Sequence, residues 1–361
     1  MQLFKNSLLS INRLARLGLA MIMVLVINTA AVANDTSIQK SIFDVMSYND
    51  VISVTLESKI NYFKENKRSK DELDSKFTYI NEDGESIDLD VKLTIRGKYR
   101  RMFSEGVPPL KLNFKKKDLK KLGLSSFDDF KLVTMFHDDK GEAYQTLVKE
   151  YLAYKAYNLL SEYSYRVQMV EVTYKDVDSG DSEKEYAFLI EDSAQLAERI
   201  GAKKINDIND VPDLKMNEDN LALVSMFQYM IGNGDWGYEI VKNLNLFEKD
   251  GEIICIPYDF DFSGLVDASY AVPNNIYKIK SVRDRVYLGK NVTLNNLEPV
   301  LNIFIEKKEN LIDLVESCNL LSRKNRNEAS EYLNSFYSDI SFRKANNYSM
   351  RDTLAAIAAK K

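Results

Sequence analysis

The sequence predicts an α+β protein in which a strand-rich N-terminal part precedes a mostly helical C-terminal part, on three observations. Between residues 50 and 190, apolar residues alternate in short runs separated by Gly, Asn and Asp turns, the period-2 signal of half-buried strands. One long stretch, 142–160, breaks that rhythm with a 3.6-residue period. Beyond residue 217 the apolar spacing is helical, interrupted by one hairpin over 243–257. Residues 202–217 are polar, contain Pro212 and read as the hinge between the parts, so the expected domains are 34–201 and 202–361.

Residues 1–33 read as an export signal. Lys5, Arg13 and Arg16 form a basic start, 17–27 an apolar run and Ala31-Val32-Ala33 a small-residue cleavage site. The run is short for a bilayer span and is broken by Asn28-Thr29. Cleavage after Ala33 is expected, giving a periplasmic or extracellular protein without a stable membrane span. It removes three positive charges and no acids, moving the formal charge from −5 to −8. A nucleic-acid partner has no electrostatic support at that charge.

With 45% hydrophobic and 29% charged residues, the chain has ordinary globular composition and enough apolar material for a large core. Two cysteines and one histidine are too few for a Cys/His zinc site. Cys255 and Cys318 either form one disulfide in an oxidising compartment or leave a buried thiol in the apolar run 253–256. His137 stands beside Asp138 and Asp139, but no Gly-x-Ser-x-Gly elbow accompanies it, and it reads as a loop histidine.

Taken in order, 50–57 alternates as a strand, and 76–80 and 87–95 flank the turn Asn81-Glu82-Asp83-Gly84 as a hairpin. A basic loop, Arg96-Gly97-Lys98-Tyr99-Arg100-Arg101, then runs through Gly106 and Pro108-Pro109 into a strand at 110–114; another follows at 130–134. In the helix 142–160, Leu147, Val148, Tyr151, Leu152, Ala156 and Leu159 make a core-facing stripe. Glu150, Tyr154 and Tyr157 recur on the other side, where a partly covered carboxylate wants a cation. Strands at 165–174 and 185–190 join through the acidic tip 176–181, and a short helix, 194–200, ends at Gly201. Further helices are expected at 221–230, at 299–305 with Pro299 in the first turn, at 310–321 and at 327–340.

The chemistry concentrates in 228–264. Asp235 sits in the glycine-punctuated turn Asn233-Gly234-Asp235-Trp236-Gly237; Asn243 and Asn245 open the hairpin, and its return strand ends in Tyr258-Asp259-Phe260-Asp261-Phe262-Ser263-Gly264. An Asp on a loop, an amide a few residues on, and an acid at the far end of a hairpin is a layout used in phosphoryl transfer. Asp235 would position or deprotonate the attacking hydroxyl, while Asn243, Asp259 and Asp261 would hold Mg²⁺ on the nucleotide phosphates through hard oxygen ligands. Alternation places Asp259 and Asp261 on one side of an extended strand, and either could be the principal ligand. The same residues are also ordinary turn formers.

This stretch resembles the CotH family, the atypical protein kinases of spore coats, in its N-x-D turn (Asn233-Gly234-Asp235), its N-x-x-L-[YF] strand (Asn243-Leu244-Asn245-Leu246-Phe247) and its [WY]-D-x-D ending (Tyr258-Asp259-Phe260-Asp261). The similarity extends over about residues 51–289, closest to exported bacterial members. It implies a two-lobed atypical protein-kinase-like fold: an N-lobe of antiparallel strands with one helix, and a mostly helical C-lobe carrying a catalytic hairpin. It also implies transfer of a phosphoryl group from Mg-ATP to an unidentified protein acceptor.

In that frame Arg96 and the basic loop would cover phosphates, and Lys111, or failing it Lys131, would reach a phosphate oxygen. Glu150 would pair with that lysine, or else with any nearby surface cation. Trp236 would wall the cleft. The family's R-G-x-S-S motif is kept here only as Arg96-Gly97, with Lys98-Tyr99-Arg100 following. That departure supports an alternative, a catalytically inactive binding or structural protein of the cell envelope. A third reading uses the acids for metal-assisted hydrolysis without nucleotide.

Overall fold

Alternation does build strands here, and they close on themselves. The computed structural model describes residues 39–361 apart from 98–99, 104–105, 137–138, 278, 290–291, 346–354 and 358–361. The expected signal segment and His137 lie outside the described residues. Ser41–Lys361 forms one unit, and among the described residues no helix is long and apolar enough to cross a membrane.

Seven strands make a closed barrel: β1 (Val51–Ser58), β2 (Leu73–Ile80), β3 (Ser86–Ile95), β4 (Leu110–Phe114), β5 (Asp129–Thr134), β6 (Val167–Asp176) and β7 (Ser182–Ile190). Their order is β1-β2-β3-β4-β5-β7-β6, and β6 returns to β1 as the one parallel pair, in register from Val51↔Met169 to Ser58↔Asp176. Every other neighbouring pair of the barrel is antiparallel. Inward positions alternate as the sequence dictates: on β4, Leu110, Leu112 and Phe114 are buried while Lys111 and Asn113 point outward. The interior core of Val54, Leu56, Leu93, Phe130 and Val172 is joined by Ile42 and Phe43 of α1 (Ile42–Met46) and by Ile60 and Phe63 of α2 (Ile60–Glu65). Neither short helix has the length to announce itself in the sequence. The same holds for α3 (Arg100–Phe103) and α4 (Lys116–Lys121).

The two-lobed kinase-like fold is overturned by this closure. Strand β1 pairs on both edges, so the strands form a barrel with no free edge. A second core then runs through the rest of the unit. It joins the outer face of the barrel (Val133, Met169, Phe188, Ile190) to helix α5 (Lys140–Leu160), α7 (Glu218–Met230) and the later helices α8 (Leu294–Glu306), α9 (Lys308–Glu316) and α10 (Arg323–Ala345). Helix α5 is buried nearly all round, which explains apolar and aromatic residues on both of its sides.

Residues expected to be a hinge instead supply two strands. After α6 (Ser193–Arg199), β8 (Lys203–Ile205) and β9 (Lys215–Met216) flank the hairpin of β10 (Leu244–Lys249) and β11 (Glu252–Pro257), giving a four-stranded sheet in the order β8-β10-β11-β9. Pro299 stands inside α8, whose N-cap is Thr293, and not in its first turn. Cys255 and Cys318 are both free, and burial pushes the Cys255 thiol up to about 12.

Candidate functional site

The outer face of the barrel, one side of α5 and the end of β11 enclose a cleft of about 290 Å³. Its cationic wall comes from the barrel: Arg96 just past β3, Lys131 on β5, and Arg100 on α3. Its acidic wall comes from Glu150 on α5 and from Asp259 and Asp261 beyond β11, with Asp235 at its border.

Lys111 and Lys131 face each other across β4 and β5 and share the barrel's outer face. Lys111 is half exposed and pairs with Asp129 at 2.9 Å, outside the cleft. Lys131 lines the cleft, with its ammonium 5.3 Å from the Tyr258 ring centroid and 5.7 Å from that of Tyr165. Burial, then the nearby charge of Arg96, lowers its pKa to about 8. Arg96, too, makes no ion pair with a described residue. Burial disfavours its charge, and Asp259 is the main support for it.

Glu150 pairs with neither lysine. Its partner is Arg100, whose Nη2 lies 2.5 Å from Glu150 Oε2 and 3.0 Å from Asp261 Oδ2. Arg100 Nε adds a bond of 3.2 Å to the same Asp261 oxygen, and the Tyr270 hydroxyl donates to it at 3.1 Å. Burial opposes the charge on Arg100, but Asp261 and Glu150 outweigh it and raise its pKa well above the ordinary value. One guanidinium does not neutralise three carboxylates. Burial raises the pKa of Glu150, and Asp261 and Asp259 add to the rise against the pull of Arg100. Burial and Asp261 raise that of Asp259 as well.

Glu150, Asp259 and Asp261 each place an oxygen within 4.8 Å of the other two. The hydrogen bonds among the described residues use Glu150 Oε2 and Asp261 Oδ2; Glu150 Oε1, Asp261 Oδ1 and both Asp259 oxygens accept none from a described residue. Extended-strand alternation is not what brings the two aspartates together. Strand β11 ends at Pro257, and Asp259 turns left-handed at φ 65°. Its N–H leaves the hairpin ladder and donates to Tyr154 Oη at 2.9 Å.

Asp235 is held from three sides. Its N–H donates to Asn233 Oδ1 at 2.8 Å, Lys242 is bonded to Oδ1, and Asn243 Nδ2 donates both to its carbonyl (2.7 Å) and to Oδ2 (3.0 Å). Asn243, itself left-handed at φ 53°, thus orients Asp235 and stands outside the carboxylate trio. The turn is delivered by α7 through Gly232 at φ 65°, where an added Cβ would collide with the Tyr332 hydroxyl. Trp236 belongs to the buried core and does not line the cleft.

The structure therefore brings Arg96, Lys131, Glu150, Asp235, Asp259 and Asp261 to one cleft and leaves Lys111 outside it. Arg100, Tyr154, Tyr165 and Tyr258 also line it; the basic run 96–101, the helix side of Glu150 and the motif start at Tyr258 point toward three of them without a role, and Tyr165 has no such signal. Compared with known proteins, the chain matches no protein-family model and no curated protein sequence.

Proposed function

We propose that the cleft binds ATP together with Mg²⁺ and transfers the terminal phosphoryl group to a hydroxyl of a protein acceptor. One observation carries this reading: Arg96 and Lys131, two cations with no ion pair to a described residue, face, in the same cleft, carboxylates with oxygens that accept no hydrogen bond from a described residue. A polyphosphate complements the first set and a hard divalent cation the second. The resemblance of 233–261 to the CotH motifs supports it from the sequence side.

The donor set fits Mg²⁺. Asp259 and Asp261 would hold the ion, with Glu150 within reach of the same position. Bound there, the ion would offset phosphate charge. The chain's own residues do the rest: Arg96 and Lys131 bind phosphate oxygens, and Asp235, fixed by Lys242 and Asn243, orients the acceptor hydroxyl and takes its proton.

A specific observation favours a second reading, a binding protein of the envelope without turnover. Both Asp235 oxygens already accept hydrogen bonds, and Arg100 already occupies Glu150 and Asp261.

Thermal unfolding with and without ATP plus Mg²⁺, on wild type and on Asp259→Ala/Asp261→Ala, tests the reading, since a ligand of the native state raises the midpoint by mass action. A metal-dependent rise that the double variant loses supports nucleotide binding. Transfer of labelled phosphate to protein then separates the kinase from the binder. No shift at millimolar nucleotide rejects the ATP reading, and phosphoester cleavage with metal alone would favour a hydrolase.

A further inference from the structure

Helix α5 reaches the cleft with two residues one turn apart. Glu150 holds Asp261 through Arg100, and Tyr154 holds Asp259 through its backbone N–H. The second contact is the more unusual. Tyr258 N–H still pairs with Asn243 across the hairpin (3.1 Å), but one residue later the chain turns left-handed and its N–H leaves the ladder. Aspartate reaches that conformation less readily than glycine, so the geometry persists only where the surroundings fix it. The Tyr154 hydroxyl is the protein group that receives this N–H.

The phenol is itself immobilised. Tyr154 is buried, its ring lying 4.7 Å from that of Phe260 and 5.7 Å from that of Phe188. Phe260 packs in turn on Phe227 of α7, 5.5 Å away. The residue between the two aspartates is thus anchored in the core, and the turn on its N-terminal side is fixed by a hydroxyl from the same aromatic stack.

We propose that Tyr154 is a positioning residue: its hydroxyl sets the left-handed turn at Asp259 and thereby the place of the Asp259 carboxylate relative to Glu150 and Asp261. This rests on the reading that those carboxylates take a divalent cation. Tyr154→Phe removes one oxygen and keeps the ring; Phe188→Leu disturbs the ring packing from the barrel side and keeps the oxygen.

Titration of the full-length protein with Mn²⁺, followed by calorimetry, is the test, together with hydrogen exchange at the Asp259 amide. Tyr154→Phe is expected to weaken Mn²⁺ binding about 10- to 100-fold, the range for losing a group that orients a ligand. It should also speed exchange at Asp259, while Phe188→Leu, which lies outside the ligand segment, binds Mn²⁺ like wild type. If Tyr154→Phe binds Mn²⁺ as tightly as wild type, or Phe188→Leu weakens it equally, Tyr154 acts only in packing and the proposal fails. Were wild type to bind no Mn²⁺ while Tyr154→Phe still speeds exchange at Asp259, the cation reading would fall although the hydroxyl holds the turn. The proposal that this turn positions a metal ligand would fall with it.

Discussion

Lys111 and Lys131 stand directly opposite one another on adjacent antiparallel strands, yet one is an exposed partner of Asp129 and the other lines the cleft between two tyrosines. Register puts both on the same face; their neighbours separate their roles. Two like charges at that spacing repel, and the arrangement resolves it by pairing one with a carboxylate and desolvating the other.

Lys131 should therefore make nucleotide binding pH-dependent. ATP affinity is expected to fall as pH rises through about 8, where Lys131 loses its charge. Lys131→Arg should retain binding above that pH. Lys131→Ala should lose about 1.5–3 kcal/mol of binding, the scale of a charged hydrogen bond, and Lys111→Ala almost nothing. For stability the sign is opposite: the folded pKa lies below the unfolded one, so the penalty for the buried charge is present below pH 8 and relieved as pH rises toward the unfolded value. Lys131→Met should accordingly raise the unfolding midpoint at neutral pH, with the gain shrinking in alkali.

Arg100 is the counter-charge of the acidic wall. Arg100→Met should destabilise the protein by about 3–5 kcal/mol in urea unfolding, because two buried carboxylates lose their shared cation. Mg²⁺ should restore more stability to this variant than it adds to wild type. An equal metal increment in both would show that Arg100 and the cation do not compete for the same oxygens.

Burial raises the pKa of Glu150, as it does that of Asp259, and the sign of the stability effect follows from it. A carboxylate whose folded pKa lies above its unfolded one adds stability that is complete below the unfolded value and is lost as pH rises through the folded one. Relative to Glu150→Gln, wild type should lose stability as pH climbs above the ordinary carboxylate range. Parallel stability–pH curves for the two proteins would contradict the assignment.

Asp235→Asn should separate binding from turnover. The midpoint shift with ATP and Mg²⁺ should persist, while phosphate transfer falls about 10²- to 10⁴-fold, the usual contribution of a positioned base. Asn243→Ala should act in the same direction, since it removes two of the bonds that aim Asp235 and leaves Lys242. Loss of the binding shift in either variant would place Asp235 with the ligand-holding groups instead.

Much of the fold could be read from local pattern. The alternation of β1 through β7, the long period of α5 and the hairpin of β10 and β11 all follow from residues close in sequence. Closure could not be read that way, because the β1–β6 seam pairs Val51 with Met169 and leaves no short-range mark. Strands β8 and β9 are three and two residues long, too short for any periodicity. In the site, Asp235, Asp259 and Asp261 declared themselves by residue type. The choice of Lys131 over Lys111 depends on Tyr165 and Tyr258, which come from distant segments, and the role of Arg100 depends on a helix of four residues.

The parallel seam also has a kinetic meaning. Strand β1 waits for β6 across more than a hundred residues of intervening chain, so closure pays a large loop entropy before its hydrogen bonds form. During synthesis β1 keeps an unpaired edge until residues 167–176 have emerged, and Asp235, Asp259 and Asp261 follow later still. That interval, when the edge is open to other chains, is when the nascent protein is most exposed to misassembly. Once the seam shuts, the barrel offers a passing strand no edge to pair with.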